Sequence, residues 1–177
     1  MGDDAMDVFV EQLIRKKKGR KDYAIVAGAG ILGIVILAIS TLIAFLGPFL
    51  LIIVAGVFVG IYYVSASRNL EYEYSTTNGD FTVDQITNRR SRKRICSFDL
   101  KTVEEMGQYN ASAFQNRSFA RQLMVGEDDE GTDAWYLIVH LKDSGNTLLV
   151  FNPNERVLAA IKPFLPRQVS VNAFRGR

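Results

Sequence analysis

From Tyr23 to Ser67 the chain runs for 45 residues without a charge, nearly all of them apolar or small, bounded by Asp22 and Arg68. About 20 apolar residues cross a hydrocarbon core as a helix. As a single helix this run would extend about 68 Å, more than an ordinary bilayer accommodates. Leu46-Gly47-Pro48 stands near its middle, and Pro disfavours helix at the residue before it. The pattern predicts a two-helix transmembrane hairpin over 23–67, with spans Tyr23–Phe45 and about Phe49 to Tyr63 or Ser65.

After Arg68 the period changes from helical to two. Leu70, Tyr72 and Tyr74 alternate with Glu71, Glu73 and Ser75, a strand with one buried face. Asn78-Gly79 is a strong hairpin signal, and Phe81–Thr87 reads as the returning strand. Arg89, Arg90, Arg92, Lys93 and Arg94 form a basic turn, and Ile95–Leu100 a third strand. Thr102–Met106 reads as a short helical turn capped by Thr102. Tyr109–Phe119 is a polar connection. Arg121–Val125, Ala134–Leu141 and Thr147–Phe151 are further strands, with the acidic loop Gly126–Asp133 between the first two. Asn152-Pro153 opens a C-terminal helix whose apolar face is Val157, Leu158, Ile161, Phe164 and Leu165, and Pro166 ends it. Ahead of the hairpin, residues 6–18 (MDVFVEQLIRKKK) are read as an amphipathic helix on the membrane surface or as a solvated tail.

Charge sets the orientation. Arg15, Lys16, Lys17, Lys18, Arg20 and Lys21 precede the first span, Arg68 follows the second, and the tip carries no charge. Lys and Arg beside a span stay cytoplasmic. Both termini are therefore expected in the cytoplasm of a two-span cell-membrane protein. The run is too long for a signal-peptide core of about 7–15 residues. Residues 68–177 carry 15 Lys+Arg and 14 Asp+Glu, which argues against a nucleic-acid partner.

Candidate chemistry is sparse. Gly28-Ala29-Gly30-Ile31-Leu32-Gly33 matches G-x-G-x-x-G. The acidic residue that a dinucleotide site needs about 20 positions on is missing, because 50–54 is wholly apolar. The same glycines suit close helix packing. Ala29 with Gly33, and Gly56 with Gly60, have small-xxx-small spacing and are expected to pack the hairpin or a dimer. One cysteine (Cys96) and one histidine (His140) make neither a disulfide nor a zinc site. Cys96 reads as a buried inert thiol. No catalytic constellation assembles around His140. No enzyme activity, cofactor or metal is expected.

Two spans followed by LEYEYSTTNGDFTVDQI, a basic turn, and RICSFDLKTVEEM resemble the opening of bacterial pleckstrin-homology-like (PH-like) domains. FNPNERVLAAIKPFLP is similar to their C-terminal helix. The resemblance covers most of 20–169. It implies an α+β chain: the hairpin, then an antiparallel β-barrel or sandwich of six to seven strands closed by one α-helix. Phosphoinositide-binding relatives place Lys and Arg around the first hairpin loop, whereas here that loop is Thr77-Asn78-Gly79-Asp80. Inositide recognition is therefore not implied.

The expected organisation is a basic N-terminal segment (1–22), the hairpin (23–67), a cytoplasmic PH-like domain (68–169) and a tail (170–177). The expected function is membrane-anchored binding or scaffolding, with a membrane protein, a peptide added to a strand edge or a second copy as partner. The alternative is anionic-lipid sensing through Arg89, Arg90, Arg92, Lys93 and Arg94.

Overall fold

A computed structural model describes residues 9–175. Asp3 and Arg177, the markers of the expected terminal topology, and residues 6–8 of the expected surface helix lie outside the described residues. The chain divides into a helical unit, Lys18–Leu70, and a β unit built from the residues on either side of it.

The helical unit is a hairpin. Helix α1 spans Arg20–Leu42, a 3-10 turn Ala44–Phe49 holds Gly47-Pro48, and α2 spans Leu50–Ser67. Asp22 caps the start of α1 by accepting the Gly19 N–H at 3.0 Å. Both helices are long and apolar enough to cross a membrane. Ile31, Leu32, Leu51, Ile52 and Phe58 stand exposed along them, a display of apolar surface that water does not tolerate over such an area.

In the β unit, the first sheet has the order β1-β2-β3-β4: Phe9–Arg15, Leu70–Thr77, Asp80–Thr87 and Ser91–Asp99. The second has the order β5-β7-β8-β6: Val103–Gln108, Trp135–Leu141, Gly145–Phe151 and Arg121–Met124. Asn78 (φ 49°) and Gly79 (φ 95°) make the two-residue turn between β2 and β3, the left-handed pair that the twist of a hairpin demands. The two sheets do not close into a barrel; they form a sandwich. Tyr72, Tyr74, Phe81, Val83 and Phe98 of the first sheet meet Met106, Leu137, Leu149 and Phe151 of the second in one core. On the outer face of the second sheet, Ile138, Leu148 and Val150 are covered by Phe114 of the short helix α3 (Ala111–Phe114).

Several expectations are corrected. The segment before the hairpin is a strand, not a helix. Val10 and Ile14 turn to the core while Phe9, Glu11, Leu13 and Arg15 face outward, which is period two. β1 pairs antiparallel with β2 from Phe9↔Thr77 to Arg15↔Glu71. The domain therefore begins before the hairpin rather than at residue 68. The strands number eight among the described residues, and β6 runs parallel to β8. Thr102 caps no helix: Asp99 caps a 3-10 turn, Leu100–Thr102, and β5 follows. The cap of α4 (Glu155–Ile161) is Asn154, whose side chain accepts the Val157 N–H at 2.9 Å; Asn152 instead ties the 127 and 132 backbone to the domain. The expected helix does finish before Pro166, its closing 3-10 turn ending at Phe164, but Pro166 does not end the helical region. It starts α5, Arg167–Ala173, where a missing N–H costs nothing. The expected tail thus packs on the fold: Ala173 and Phe174 lie against the core, the Phe174 and Trp135 ring centroids 5.4 Å apart.

Candidate functional site

The outer face of the first sheet carries a ladder of charge. Side chains on a strand alternate in direction, so Glu71 and Glu73 on β2 and Asp84 on β3 share the face opposite the core. Arg15 on β1, and Arg92 and Arg94 on β4, share it too. A register shift between Val83 and Asp84 leaves Ile95 unpaired and sets Arg94 opposite Asp84. Arg94 Nε is 3.1 Å from Asp84 Oδ1. Arg92 reaches Glu73 at 2.6 Å and Asp84 at 3.9 Å. Glu71 Oε1 is shared by Arg15 (3.0 Å) and Arg89 (3.4 Å).

The guanidiniums lie over the carboxylates and cover them: Glu73 keeps only 7% of its side-chain surface while Arg92 keeps 57%. Burial, and then the neighbouring Glu11 carboxylate, push the Glu73 carboxyl above its usual value. The Asp84 carboxylate holds the Arg94 guanidinium protonated even more firmly than usual.

The five basic residues proposed as a turn are therefore divided. Only Arg89 and Arg90 lie in the β3–β4 turn; Arg92, Lys93 and Arg94 are on β4. Arg89, Arg92 and Arg94 are held by carboxylates of the same sheet. Among the described residues, Arg90 and Lys93 make no ion pair. The acidic loop takes different partners: Lys16 meets Asp129 at 2.7 Å and Lys17 meets Glu127 at 2.6 Å, and the Lys17 N–H donates to the Glu127 carbonyl. Of the residues expected to fix topology, Arg15, Lys16 and Lys17 thus also bind the β unit. Lys18, Arg20, Lys21 and Arg68 make no ion pair among the described residues.

In the hairpin, only Gly33 behaves as a packing glycine. A Cβ built there would lie 2.7 Å from Val57 Cγ1 and 3.4 Å from Ile61 Cδ1, so α1 and α2 touch through its bare backbone. At Gly56 and Gly60 a Cβ would meet nothing within 4 Å. They do not join the two helices. With Ala29 and Gly33 they line an apolar groove of about 380 Å³ beside the contact.

Over residues 6–171 the sequence matches the family described as bacterial PH-like domain, DUF6106. The chain belongs to this family. No curated protein and no solved structure matches it. The family match begins ahead of α1, so the PH-like unit includes β1 and carries both helices inside it. In this PH-like domain the loop between β2 and β3 contributes no basic side chain. Cys96 is buried in the core, and burial pushes its thiol up to about 12. That leaves little thiolate for chemistry at neutral pH. His140 is exposed on β7, opposite Asn146.

The charged ladder was half legible. The basic run is plain in sequence, but its partners lie on three strands. Gln12 carries no motif that marks it in the sequence. Its amide donates to the Asn152 carbonyl at 3.0 Å and its Oε1 accepts the Asn154 N–H at 2.8 Å, fastening β1 to the start of α4. The period-two pattern around it was the available signal.

Proposed function

We propose that this protein is a membrane-anchored, non-enzymatic binding or scaffolding module that presents its PH-like domain at the cytoplasmic face of the cell membrane. One observation carries the reading. β1 precedes the first membrane helix, β2 follows the second, and the two pair residue by residue. Strands of one sheet lie on one side of a bilayer, so the chain crosses the membrane an even number of times between them. The basic flank supports the cytoplasm as that side. A single cysteine at Gly47, in a Cys96→Ser background, should react with a membrane-impermeant maleimide on intact cells, and one at Asn78 should not. Labelling at Asn78 from outside would overturn the orientation. Crosslinking from native membranes, followed by purification, would identify the partner, either another membrane protein or a second copy.

A second reading, contact with anionic lipid, is favoured by one feature. Arg89 of the basic turn shares Glu71 with Arg15. Those two residues are four and five positions from the helices that enter the membrane. Arg90 and Lys93 remain for phosphates, each basic group adding about 1 kcal/mol near an anionic surface. Full-length protein in anionic nanodiscs should resist trypsin at 89–94 more than in neutral ones, and Arg90→Gln with Lys93→Gln should remove the difference. Equal cleavage in both discs would reject lipid contact and leave the scaffold reading.

A further inference from the structure

Strand β4 ends the first sheet, so one of its edges has no strand beside it. Along the later half of that edge, Ile95–Asp99, runs a cleft of about 490 Å³, within the range of small-ligand and peptide pockets. Its opposite wall is the turn from β7 to β8, residues 140–144, with Arg121 at the start of β6. No backbone hydrogen bond among the described residues crosses the cleft from this edge.

We infer that the cleft takes an extended peptide segment, which adds as a fifth strand beside Ile95–Asp99 and places an acidic side chain at Arg121. Five residues of edge offer about 17 Å of hydrogen-bonding groups, and an extended backbone is the chemistry that matches them. Natural edges are blocked with charge or proline. Here Arg92, Lys93 and Arg94 guard the first half of β4, while the second half contains one charge, Asp99, whose carboxylate is taken by the Lys101 N–H at 2.9 Å. Cys96 and Phe98 point to the core and Leu141 is half-buried on the other wall, so alternate side chains of the added strand meet an apolar floor.

The charge at the rim selects the peptide. Lys142 and Asp143, adjacent in sequence, together add no net charge to the rim. Arg121 donates to Ser144 Oγ at 3.2 Å and has no carboxylate partner among the described residues. A carboxylate two residues from an apolar side chain supplies that partner. This inference rests on the binding-module reading, and it is independent of which side of the membrane the domain faces.

The test is a phage-displayed library of random dodecapeptides panned against the full-length protein in nanodiscs. Enriched peptides should carry an acidic residue two positions from an apolar one and slow amide exchange at Ile95–Asp99. Arg121→Glu should weaken them tenfold or more, the scale of one charge-assisted hydrogen bond, while Arg121→Lys retains most of the binding. Native Trp135 fluorescence establishes that each variant is folded. Absence of enrichment overturns the inference, as does protection elsewhere or binding indifferent to Arg121→Glu. If Ser97→Cys forms a disulfide between two copies and blocks the cleft, the edge belongs to a second copy and the peptide is excluded. A membrane partner captured equally by wild type and Arg121→Glu keeps the module reading and removes this site from it.

Discussion

If β1 is a structural strand, the soluble part cannot begin at residue 68. The register suggests a clean perturbation. Arg15 pairs with Glu71, so replacing residues 16–70 by Asn-Gly joins β1 to β2 through a two-residue hairpin and yields a water-soluble domain. Against it stand two variants: the same domain with Ile14→Ala, and a fragment starting at Glu71 without β1. Ile14 is 7% exposed and sits in the main core, so truncation should cost about 2–3 kcal/mol, the lower part of the usual range because an edge strand can relax. Deleting β1 also removes the two Gln12 hydrogen bonds to Asn152 and Asn154, about 1 kcal/mol each, for a total of about 4–5 kcal/mol. A domain of this size has about 5–15 kcal/mol in all, so the loss removes between about a quarter and all of it, and the fragment should unfold at a urea midpoint roughly 3–4 M lower than the joined domain. Urea titration read by Trp135, which is buried, measures this. With a urea slope of about 1–1.5 kcal/mol per molar, Ile14→Ala should lower the midpoint by roughly 2 M. A fragment from Glu71 that unfolds at the same midpoint as the joined domain would refute the reasoning, and with it the topological argument from strand pairing.

In the hairpin, Gly33→Leu should separate the helices, lowering disulfide crosslinking between cysteines placed at facing positions on α1 and α2, because even a Cβ meets Val57 there. Gly56→Leu and Gly60→Leu should leave it unchanged, and a loss in those variants instead would reverse the assignment. On the ladder, Glu11→Gln should bring the Glu73 titration down toward 4.5, since Glu11 is one cause of its raised value. Carboxyl carbon shifts of labelled protein report it, and an unmoved midpoint would count against the contact. The sign for stability follows: the folded Glu73 binds its proton more tightly than the unfolded one, so its contribution falls as pH rises from 4.5 through the raised value. Glu105 acts oppositely. Its bidentate hydrogen bonds to Arg117 hold its carboxyl below 4.5, so Arg117→Gln should reduce the loss of stability on acidification below 4.5, seen as a shallower acid limb in thermal unfolding.

What could be read from the sequence was whatever local periodicity encodes. The uncharged run with Gly47-Pro48, the alternation of Tyr72 and Tyr74 with Glu71 and Glu73, and Asn78-Gly79 each specify an element by themselves. The failures have two physical sources. Phe9–Arg15 satisfies both a helical and a strand pattern over so few residues, and only β2, more than fifty residues on, decides between them. Thr102–Met106 likewise has helix-favouring glutamates, yet Val103 and Met106 are drawn into the core by β7. The other source is pairing of charges. Arg89–Arg94 is conspicuous as a basic run, but Glu71, Glu73 and Asp84 look like ordinary solvent-facing positions until the sheet sets them beneath the guanidiniums. A count of basic residues therefore overstates the charge available to a partner. The small-residue spacing at Gly56 and Gly60 is a third case: it marks a narrow helix face without saying whether the other helix or a second copy uses it, and within this chain α1 does not.

The hairpin is inserted between the first two strands of one sheet, so the chain enters and leaves it through two connections. Four residues separate β1 from α1 and two separate α2 from β2, and the Arg15–Glu71 pair sets the ends of the ribbon about 5 Å apart. The restraint is also electrostatic, because Glu71 is held by Arg89 from the β3–β4 turn as well as by Arg15. Lys16 and Lys17 bind the acidic loop beyond β6, so the same short segment is fixed to both halves of the β unit. Of the basic residues before the first helix, Arg15, Lys16 and Lys17 thus close the domain as well as belonging to the flank on which the proposed orientation rests. Neutralising them would disturb both, and separating the two effects requires changing Asp129 and Glu127, which leave the membrane flank intact.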